Sequence, residues 1–229
     1  MKSALNARLL SAAELTRQGA VLADVGTDHA YLPLFLLSEG RISYAYATDI
    51  NEGPLSSAKR NAEECGLMDK MSFVLTDGAA MLSGKGITDY TICGMGGELI
   101  RDIIDRAPHL RETGVNLILQ PMSRQEKLRT YLAENGFSIA CESYSYDAGK
   151  YYTCMLATYT GEKQCISNLE SHIGIKNTKI VNKGCQKGYI KAKTASLIRA
   201  VNGKKMAGQV DEYEEELLLQ ITRFLDSIK

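Results

Sequence analysis

The chain has 229 residues, of which 45% are hydrophobic and 24% charged, and this is enough apolar material for one sizeable core with an appendage. The formal net charge is zero, but residues 1–159 carry a net charge of −4 and the remainder carries +4. No segment approaches the roughly 18 apolar residues that a membrane span needs, the first residues lack the apolar stretch of a signal peptide, and the six cysteines show no C-x-x-C spacing. These features disfavour secretion and membrane insertion, so we expect a cytoplasmic protein with reduced thiols.

The first two thirds of the sequence alternates short apolar runs with helical patterns. A one-sided helix is predicted at residues 5–15, followed by strands at residues 20–25, 44–48, 71–76, 89–93 and 116–119. Helices are predicted between and after these strands, at residues 31–39, 51–65, 98–106 and 124–135. This alternation predicts an α/β fold with a doubly wound parallel sheet, in which ligands bind at the carboxyl ends of the strands.

The last third of the sequence has a different pattern. Two β-rich runs at residues 137–146 and 151–159 flank a turn-rich connection and predict an antiparallel hairpin. Two helical patterns then follow at residues 189–201 and 210–228, and residues 202–205 are predicted to join them as the turn of a helical hairpin. We therefore predict a first domain at residues 1–160 and a basic linker with a helical hairpin at residues 161–229.

An acid stands in the turn after the first predicted strand. A dinucleotide-binding turn carries glycines at both Gly26 and the position of Asp28, because the second glycine lets the backbone approach a pyrophosphate. A carboxylate at this position would repel a diphosphate. An acid here suits a nucleoside ligand that carries an amine or a sulfonium, and S-adenosylmethionine carries both.

Two further acids follow the next two strands. Asp49 lies 23 residues beyond Gly26, close to the usual offset of the acid that binds ribose hydroxyls. Asp77 could accept a hydrogen bond from an adenine amino group, and Gly78 would let the chain pass close to the ring. Taken singly, Asp24 at the end of the first strand could only cap a turn, Asp49 could only cap the following helix, and Asp77-Gly78 could be an ordinary turn. Three acids at the ends of successive parallel strands, however, are expected to meet in one crevice.

The fourth predicted strand runs into the glycine-rich turn Gly94-Met95-Gly96-Gly97. Such a turn can lie against a flat ligand, or it can serve tight packing of a strand against a helix. Many methyltransferases that act on exocyclic amines have an Asn/Asp-Pro-Pro-aromatic turn at this place. The sequence lacks that turn, so an exocyclic-amine mechanism loses support.

Four motifs together identify a family. Residues 24–33 (DVGTDHAYLP), 94–97 (GMGG), 119–121 (LQP) and 5–9 (LNARL) resemble the bacterial tRNA adenine-N1 methyltransferases that modify adenosine 22, the TrmK type. The first motif is specific, and the resemblance covers about residues 5–160, whereas the helical tail matches only in architecture. Met122 departs from the pattern, since many members are expected to have asparagine there. The resemblance implies a Rossmann-like class I S-adenosylmethionine-dependent methyltransferase domain with a C-terminal coiled-coil hairpin, and methyl transfer to N1 of adenosine 22 in tRNA.

The expected site combines these motifs. Asp28 is the candidate catalytic acid, with binding of the methionine amine as its alternative role, and Tyr31 is the candidate stacking surface for the target base unless it only covers the sheet edge. The residues expected to bind S-adenosylmethionine are Asp24, Gly26, Thr27, His29, Asp49, Ile50, Asn51, Asp77, Gly78, Gly94 and Met95. No metal is expected.

A basic stretch near the C-terminus could contact tRNA. It has the density of positive charge that phosphate neutralisation requires, although lysines also occupy ordinary solvated faces. The candidate RNA-binding residues are Lys176, Lys179, Lys183, Lys187, Lys191, Lys193 and Arg199.

Three other functions compete with this interpretation. A methyltransferase of a small molecule or a protein would need no basic tail. A non-catalytic RNA-binding protein on a degenerate fold would not need Asp49, Asp77 and the glycine turn. An NAD-linked oxidoreductase is disfavoured by Asp28.

Overall fold

The computed structural model describes residues 5–176 and 178–227, and in these ranges eight strands form one sheet. The strands are β1 (Ala20–Val25), β2 (Ile42–Asp49), β3 (Met71–Leu75), β4 (Asp89–Gly96), β5 (Asn116–Ser123), β6 (Phe137–Asp147), β7 (Lys150–Tyr159) and β8 (Lys179–Val181). Their order across the sheet is β3-β2-β1-β4-β5-β7-β6-β8. β1 to β5 are parallel, and β7 is antiparallel to both β5 and β6. The five parallel strands therefore end at one edge of the sheet, which is called the carboxyl edge below.

The helices cover both faces of this sheet. They are α1 (Ala7–Leu15), α2 (Tyr31–Ser38), α3 (Glu52–Glu64), α4 (Gly97–Asp105), α5 (Gln125–Glu134), α6 (Asn168–Ile173), α7 (Lys183–Met206) and α8 (Glu212–Ser227). Adjacent residues of β1 point to opposite faces. Leu22 packs in a cluster with α1 to α3, whereas Ala23 packs in a second cluster with α4 and α5. The predicted Rossmann-like α/β fold with its closing hairpin is confirmed, and its strands and helices lie within a few residues of their predicted positions.

An ion pair at the amino end of β4 fixes α1. The Arg17 backbone N–H and Nε donate to the two carboxylate oxygens of Asp89, at 3.0 and 2.7 Å, and Asp89 is fully buried. At the other end of α1 the Asn6 side chain accepts a hydrogen bond from the Leu9 N–H at 2.9 Å and caps the helix. The first residues of α1 are thereby held in a defined position.

The C-terminal part of the chain returns to the sheet. β8 pairs in parallel with β6, and a third apolar cluster joins Tyr144 of β6 and Ile173 of α6 to α7 and α8. The sequence predicts no element between residues 161 and 188, because α6 is short and β8 is only three residues long. The division at residue 160 and the coiled-coil geometry of the hairpin stay predictions. No helix in the described ranges is long and apolar enough to span a membrane.

The predicted turn between the last two helices is wrong. Residues 202–205 lie within α7, which continues to Met206, so the connection to α8 is residues 207–211. Gly203 does not end the helix, because Val201 is buried and the Lys204 Nζ contacts Asp211 and Glu214 at 2.6 and 2.9 Å. The second helix is predicted to end at Ile228, which lies outside the described residues.

A buried ion pair lies where the C-terminal part meets the sheet. The Nε of Arg129 in α5 donates to Oε1 of Glu142 in β6 at 2.6 Å, and both side chains are fully buried. The Tyr144 hydroxyl donates to the other Glu142 oxygen at 2.6 Å, and Arg129 also donates to the Ser171 carbonyl of α6 at 2.8 Å. Burial alone would lower the pKa of Arg129, but the Glu142 carboxylate and the nearby tyrosines outweigh it and raise the pKa, so the pair stays charged.

Candidate functional site

The turn after β1 is built on the end of β2. The N–H groups of Gly26 and Thr27 both donate to the Thr48 carbonyl, at 2.9 and 2.7 Å. Gly26 has a φ of +75°, and the terminal methyl of Met95 occupies the place where a Cβ at this position would lie. The positive φ favours glycine at residue 26, and the absence of a Cβ lets the Met95 side chain pack directly on the turn.

Asp24, the acid at the end of β1, is buried between the neighbouring strands. Its Oδ1 accepts a hydrogen bond from the Thr91 hydroxyl of β4 at 2.8 Å. Burial raises the pKa of Asp24, and the hydroxyls of Thr27 and Thr91 only partly oppose this. A buried acid of this kind is unfavourable for the fold and available to a cation that enters the crevice.

Replacing Asp24 with asparagine should make the folded chain more stable near neutral pH. Burial raises the pKa of this carboxyl in the folded state. At a pH above that folded-state pKa the ionised carboxylate lowers the free energy of unfolding, and this loss becomes smaller as the pH falls below it. Asparagine removes the charge and keeps an oxygen for Thr91. We expect a higher midpoint of thermal unfolding, by about 2–4 °C for each kcal/mol, and a gain that shrinks as the pH is lowered. An equal or lower midpoint at neutral pH would contradict this.

Asp28, His29 and Tyr31 form an exposed group at the start of α2. The Asp28 side chain is 81% exposed, and its Oδ1 lies 3.4 Å from His29 Nε2. The rings of His29 and Tyr31 are stacked with their centroids 5.1 Å apart, and Tyr31 is 43% exposed. A carboxylate and an aromatic surface thus face solvent together at the carboxyl edge.

The turn after β2 presents a carboxylate beside an apolar side chain. Asp49 Oδ1 accepts the Asn51 N–H at 2.8 Å, and this contact fixes the carboxylate. Ile50, between them, is 63% exposed although it is large and apolar. The Asn51 side chain makes no capping bond to α3.

The acid after β3 already has a partner. The Arg106 Nη1 donates to Asp77 Oδ2, and both side chains are about half exposed. Gly78 has a φ of +66°, and a Cβ there would lie 3.2 Å from the Ile103 side chain. The hydrogen bond from Arg106 leaves Asp77 one carboxylate oxygen to offer to a ligand.

Arg8 of α1 and Gln120 of β5, which meet beside the end of β4, were not among the sequence-predicted site residues. The Oε1 of Gln120, which is fully buried, accepts from Arg8 Nη1 at 2.7 Å and from the Gly94 N–H at 3.1 Å. Gly94 has a φ of +80°, and the Arg8 guanidinium lies 3.5 Å from the place of a Cβ. Arg8 and Gln120 both lie in motifs that carry the family resemblance, and this is the sequence signal that could have identified them as site residues. Met122, beside them, is 42% exposed and its sulfur lies 3.8 Å from Gln120 Nε2.

Arg8 brings a positive charge to the end of β4. Burial raises the pKa of the Cys93 thiol, the Asp24 carboxylate raises it further, and the Arg8 guanidinium opposes both. Cys93 is therefore a neutral thiol at physiological pH. Arg8 and Asp24 thus place opposite charges around the turns that follow β1 and β4.

The predicted RNA-binding residues lie on β8, on α7 and in the segment before β8. Lys176 precedes β8, Lys179 is in β8, and the others with Arg199 are in α7. Lys193 is not free, since its Nζ donates to Gln125 Oε1 at 2.7 Å. In the described part of the chain, the amines of Lys183, Lys187 and Lys191 form no ion pair.

The residues at the carboxyl edge fit S-adenosylmethionine. Carboxylates suited to an adenine amino group, ribose hydroxyls and an ammonium group lie at the carboxyl ends of β3, β2 and β1, which are neighbours in that order. The exposed Ile50 provides apolar surface beside the Asp49 carboxylate, and a cation at Arg8 stands beyond β1. The structure thus brings the predicted cofactor residues to one edge in the order of the parts of that molecule.

Comparisons with known proteins agree with this geometry. The model of the methyltransferase domain family matches residues 5–155. The tRNA (adenine(22)-N(1))-methyltransferase of Bacillus subtilis is 37% identical over 154 residues, which are 67% of this chain and 64% of that protein. The alignment thus spans less than two thirds of that relative's length.

Solved structures match over nearly the whole chain. A crystal structure of a candidate tRNA (m1A22) methyltransferase from Streptococcus pneumoniae, in complex with S-adenosyl-L-methionine, is 30% identical with a TM-score of 0.81 and covers 97% of this chain and 100% of that one. The structure of TrmK from M. capricolum in complex with S-adenosyl-homocysteine is 26% identical with a TM-score of 0.80 and covers 98% of this chain and 99% of that one.

Proposed function

The chain belongs to the methyltransferase domain family and, within it, to the TrmK type of tRNA (adenine(22)-N1)-methyltransferases, and on this premise we propose that it methylates N1 of adenosine 22 in tRNA. The observation that carries the proposal is the order of the carboxylates along the edge. Asp77 just after β3 suits the adenine of S-adenosylmethionine, Asp49 at the end of β2 suits its ribose, and Asp24 near the end of β1 suits its amine. Neighbouring strands are about 4.8 Å apart, so a ligand lying across these ends meets the three acids in succession.

In this reaction the chain's own residues mainly bind and orient S-adenosylmethionine and the target adenine. When bound, S-adenosylmethionine supplies a methyl group on a positively charged sulfur. Adenine N1 is neutral near pH 7 and carries an in-plane lone pair, so no residue has to remove a proton before N1 reacts, and alignment is the main contribution. A paired adenosine must leave its helix first, because N1 is occupied in a Watson–Crick pair. Tyr31 and His29 offer the surface on which the flipped base would stack, and Asp28 would balance the positive charge of the methylated ring.

The decisive experiment identifies the modified nucleoside. Purified protein is incubated with unmodified tRNA and labelled S-adenosylmethionine, and the nucleosides are analysed by mass spectrometry. We expect 1-methyladenosine, and no product from a tRNA with guanosine in place of adenosine 22. Absence of 1-methyladenosine, or its appearance at another position, would overturn the proposal.

Arg8 completes the cofactor site in this proposal. With the adenine and ribose over β3 and β2, the methionine end of the molecule reaches β1 and β4, where Arg8 is held by the buried Gln120. A guanidinium is suited to a carboxylate, as Asp24 is to the amine on the same carbon. Arg8 would therefore bind the methionine carboxylate.

An analogue without that carboxylate tests this role. Arg8→Ala should weaken binding of S-adenosylmethionine by roughly 10–150-fold, the range for a hydrogen bond to a charged group, as measured by calorimetry. The affinity for decarboxylated S-adenosylmethionine should be the same for this variant and for the unchanged protein. Equal losses for both ligands would mean that Arg8 only supports the Gly94 turn. Unchanged binding of both would remove Arg8 from the site.

The free lysines of α7 are the proposed tRNA contact. Lys193 of the same helix bonds to Gln125, which follows the end of β5 by two residues, so α7 passes beside the carboxyl edge. Lys183, Lys187 and Lys191 precede this contact on α7. In contrast, Lys204 and Lys205 are paired with Glu214 and Glu215 of α8, so the far end of the hairpin offers little free positive charge.

Replacing Lys183, Lys187 and Lys191 with alanine should weaken tRNA binding and flatten its salt dependence. Each lost phosphate contact lowers the slope of log affinity against log salt by about 0.7–0.9, so a total loss of roughly 2–3 is expected. Binding is measured by fluorescence anisotropy over a range of salt concentrations. Alanine at Lys204 and Lys205, a control on the same helix, should leave the slope unchanged. Equal slopes for the triple variant and the unchanged protein would show that these three lysines are solvated and do not contact tRNA phosphates.

A further inference from the structure

Two tyrosines stand together at the turn end of the β6–β7 hairpin. Tyr146 and Tyr151 are directly opposite each other in the antiparallel register, and their ring centroids lie 4.7 Å apart with a 48° angle between the planes. Tyr146 is 52% exposed, which is high for a large aromatic side chain. The two rings form a continuous aromatic surface that is called the tyrosine pair below.

The register of the sheet places the tyrosine pair at the carboxyl edge. Leu119 of β5 pairs with Met155 of β7, and β5 extends four residues further to Ser123. Because the strands are antiparallel, four residues back along β7 from Met155 is Tyr151. The tyrosine pair is therefore level with the end of β5. Since strands are about 4.8 Å apart, it lies roughly 10–15 Å along the edge from the end of β4, where the methyl acceptor would be.

The inner ring of the pair is fixed by α7. Tyr151 packs on the third apolar cluster, and a Cβ at Gly188 would overlap its ring, so Gly188 lets the helix backbone lie against it. Glycine is costly inside a helix, by about 1 kcal/mol relative to alanine, and this close approach accounts for it. Tyr146 thus packs on a ring that α7 holds in place, and about half of its own side chain stays exposed.

Positive charge flanks the tyrosine pair. Lys187 precedes Gly188 directly, and Lys191 lies three residues after it, which is one turn along the same helix. In the ranges that the structure describes, neither amine is part of an ion pair. Lys150 is next to Tyr151, but Asp147 lies opposite it in the register and offsets its charge. An exposed aromatic ring beside unpaired lysines is the arrangement that proteins use to bind unstacked nucleotides.

We propose that the tyrosine pair is a stacking platform for an unpaired base of the tRNA that flanks the target adenosine. Extracting the target base for methylation leaves its neighbours without a stacking partner, and Tyr146 offers an aromatic face within reach of them. Lys187 and Lys191 would hold the adjoining phosphates. The platform contributes affinity without reading the base, because every base has a flat face. This inference rests on the proposed function and adds to it a binding site for a second nucleotide.

Tyr146→Ala tests the platform. We expect the dissociation constant of tRNA to rise by roughly 5–150-fold, the range for one base–aromatic stack, with the affinity for S-adenosylmethionine unchanged. Loss of stacking should weaken tRNA binding equally at all salt concentrations, so the salt slope should stay that of the unchanged protein, unlike the slope of the lysine variant. Tyr146→Phe keeps the ring and should bind normally. Tyr213→Ala is the matched control, because Tyr213 is 49% exposed on α8 among acidic residues and should not contribute.

Normal tRNA affinity for Tyr146→Ala would overturn the platform. If that variant has a lower midpoint of thermal unfolding, Tyr146→Leu is the deciding variant, because leucine can still cover Tyr151 but offers no flat face. Normal tRNA affinity for Tyr146→Leu refutes stacking. Weakened tRNA affinity with normal cofactor binding supports it. The outcome is separable from the proposed function. If Tyr146→Ala forms 1-methyladenosine as fast as the unchanged protein at a tRNA concentration well below saturation, the platform is absent. Failure of the unchanged protein to form 1-methyladenosine refutes the function itself.

Discussion

Turnover should fall by about 10²–10³-fold when Asp28 is replaced with asparagine, while the affinity for S-adenosylmethionine is retained. The Asp28 side chain is 81% exposed and its Oδ1 lies 3.4 Å from Nε2 of His29, whose ring stacks on Tyr31, so it lies beside the surface on which we propose that the target base stacks. In the proposed function the buried Asp24 takes the methionine amine, which leaves Asp28 for the reacting centre. Asparagine keeps the shape but cannot balance the positive charge that develops on the adenine ring.

The comparison of turnover with binding decides between the two roles of Asp28. Single-turnover rates report the chemical step, and calorimetry reports cofactor affinity. A parallel loss of both would make Asp28 a ligand of the methionine amine. Normal values for both would remove it from the site. Asp69→Asn is a suitable control, because Asp69 is an exposed acid just before β3, at the opposite edge of the sheet, and should behave as the unchanged protein does.

Arg129→Ala should destabilise the fold by about 3–5 kcal/mol, because Glu142 would be left charged and fully buried without its cation. For a chain of this size the midpoint of thermal unfolding should drop by roughly 6–20 °C. Urea unfolding measures the free energy directly. The double variant Arg129→Met with Glu142→Leu leaves no buried charge and should recover much of the loss. A loss below about 1 kcal/mol for Arg129→Ala would mean that the buried pair contributes little.

The fold was largely predictable because its signals are local. The apolar runs of β1 to β5 and the amphipathic helices between them are visible as periodicity, and turn residues mark their ends. The C-terminal part was harder to predict. β8 has three residues in a polar segment, and its existence depends on pairing with β6, which no local pattern reports. At Gly203 the local signal was misleading, since bonds from Lys204 to α8 hold the helix together beyond it.

The site was predictable in part for the same reason. The acids at strand ends are sequence signals, because parallel strands must bring their carboxyl ends to one edge. The contact between Arg8 and Gln120 joins residues 112 positions apart, and no spacing rule predicts it. The partner of Asp77 was likewise missed, since Arg106 comes from the end of the next helix. Whether the predicted residues act as assigned stays a prediction until the variants are measured.

The return of the chain to the sheet through β8 has a practical consequence for any attempt to shorten the protein. A chain ending at residue 160 would lose β8 and leave the eleven-residue strand β6 with an open hydrogen-bonding edge. It would also uncover Tyr144, now fully buried, and remove the Ser171 carbonyl that Arg129 contacts. Open, apolar strand edges favour aggregation. The role of the C-terminal helices is therefore better resolved by surface substitutions in the 229-residue chain than by truncation, because a truncated chain could fail through self-association instead of lost tRNA binding.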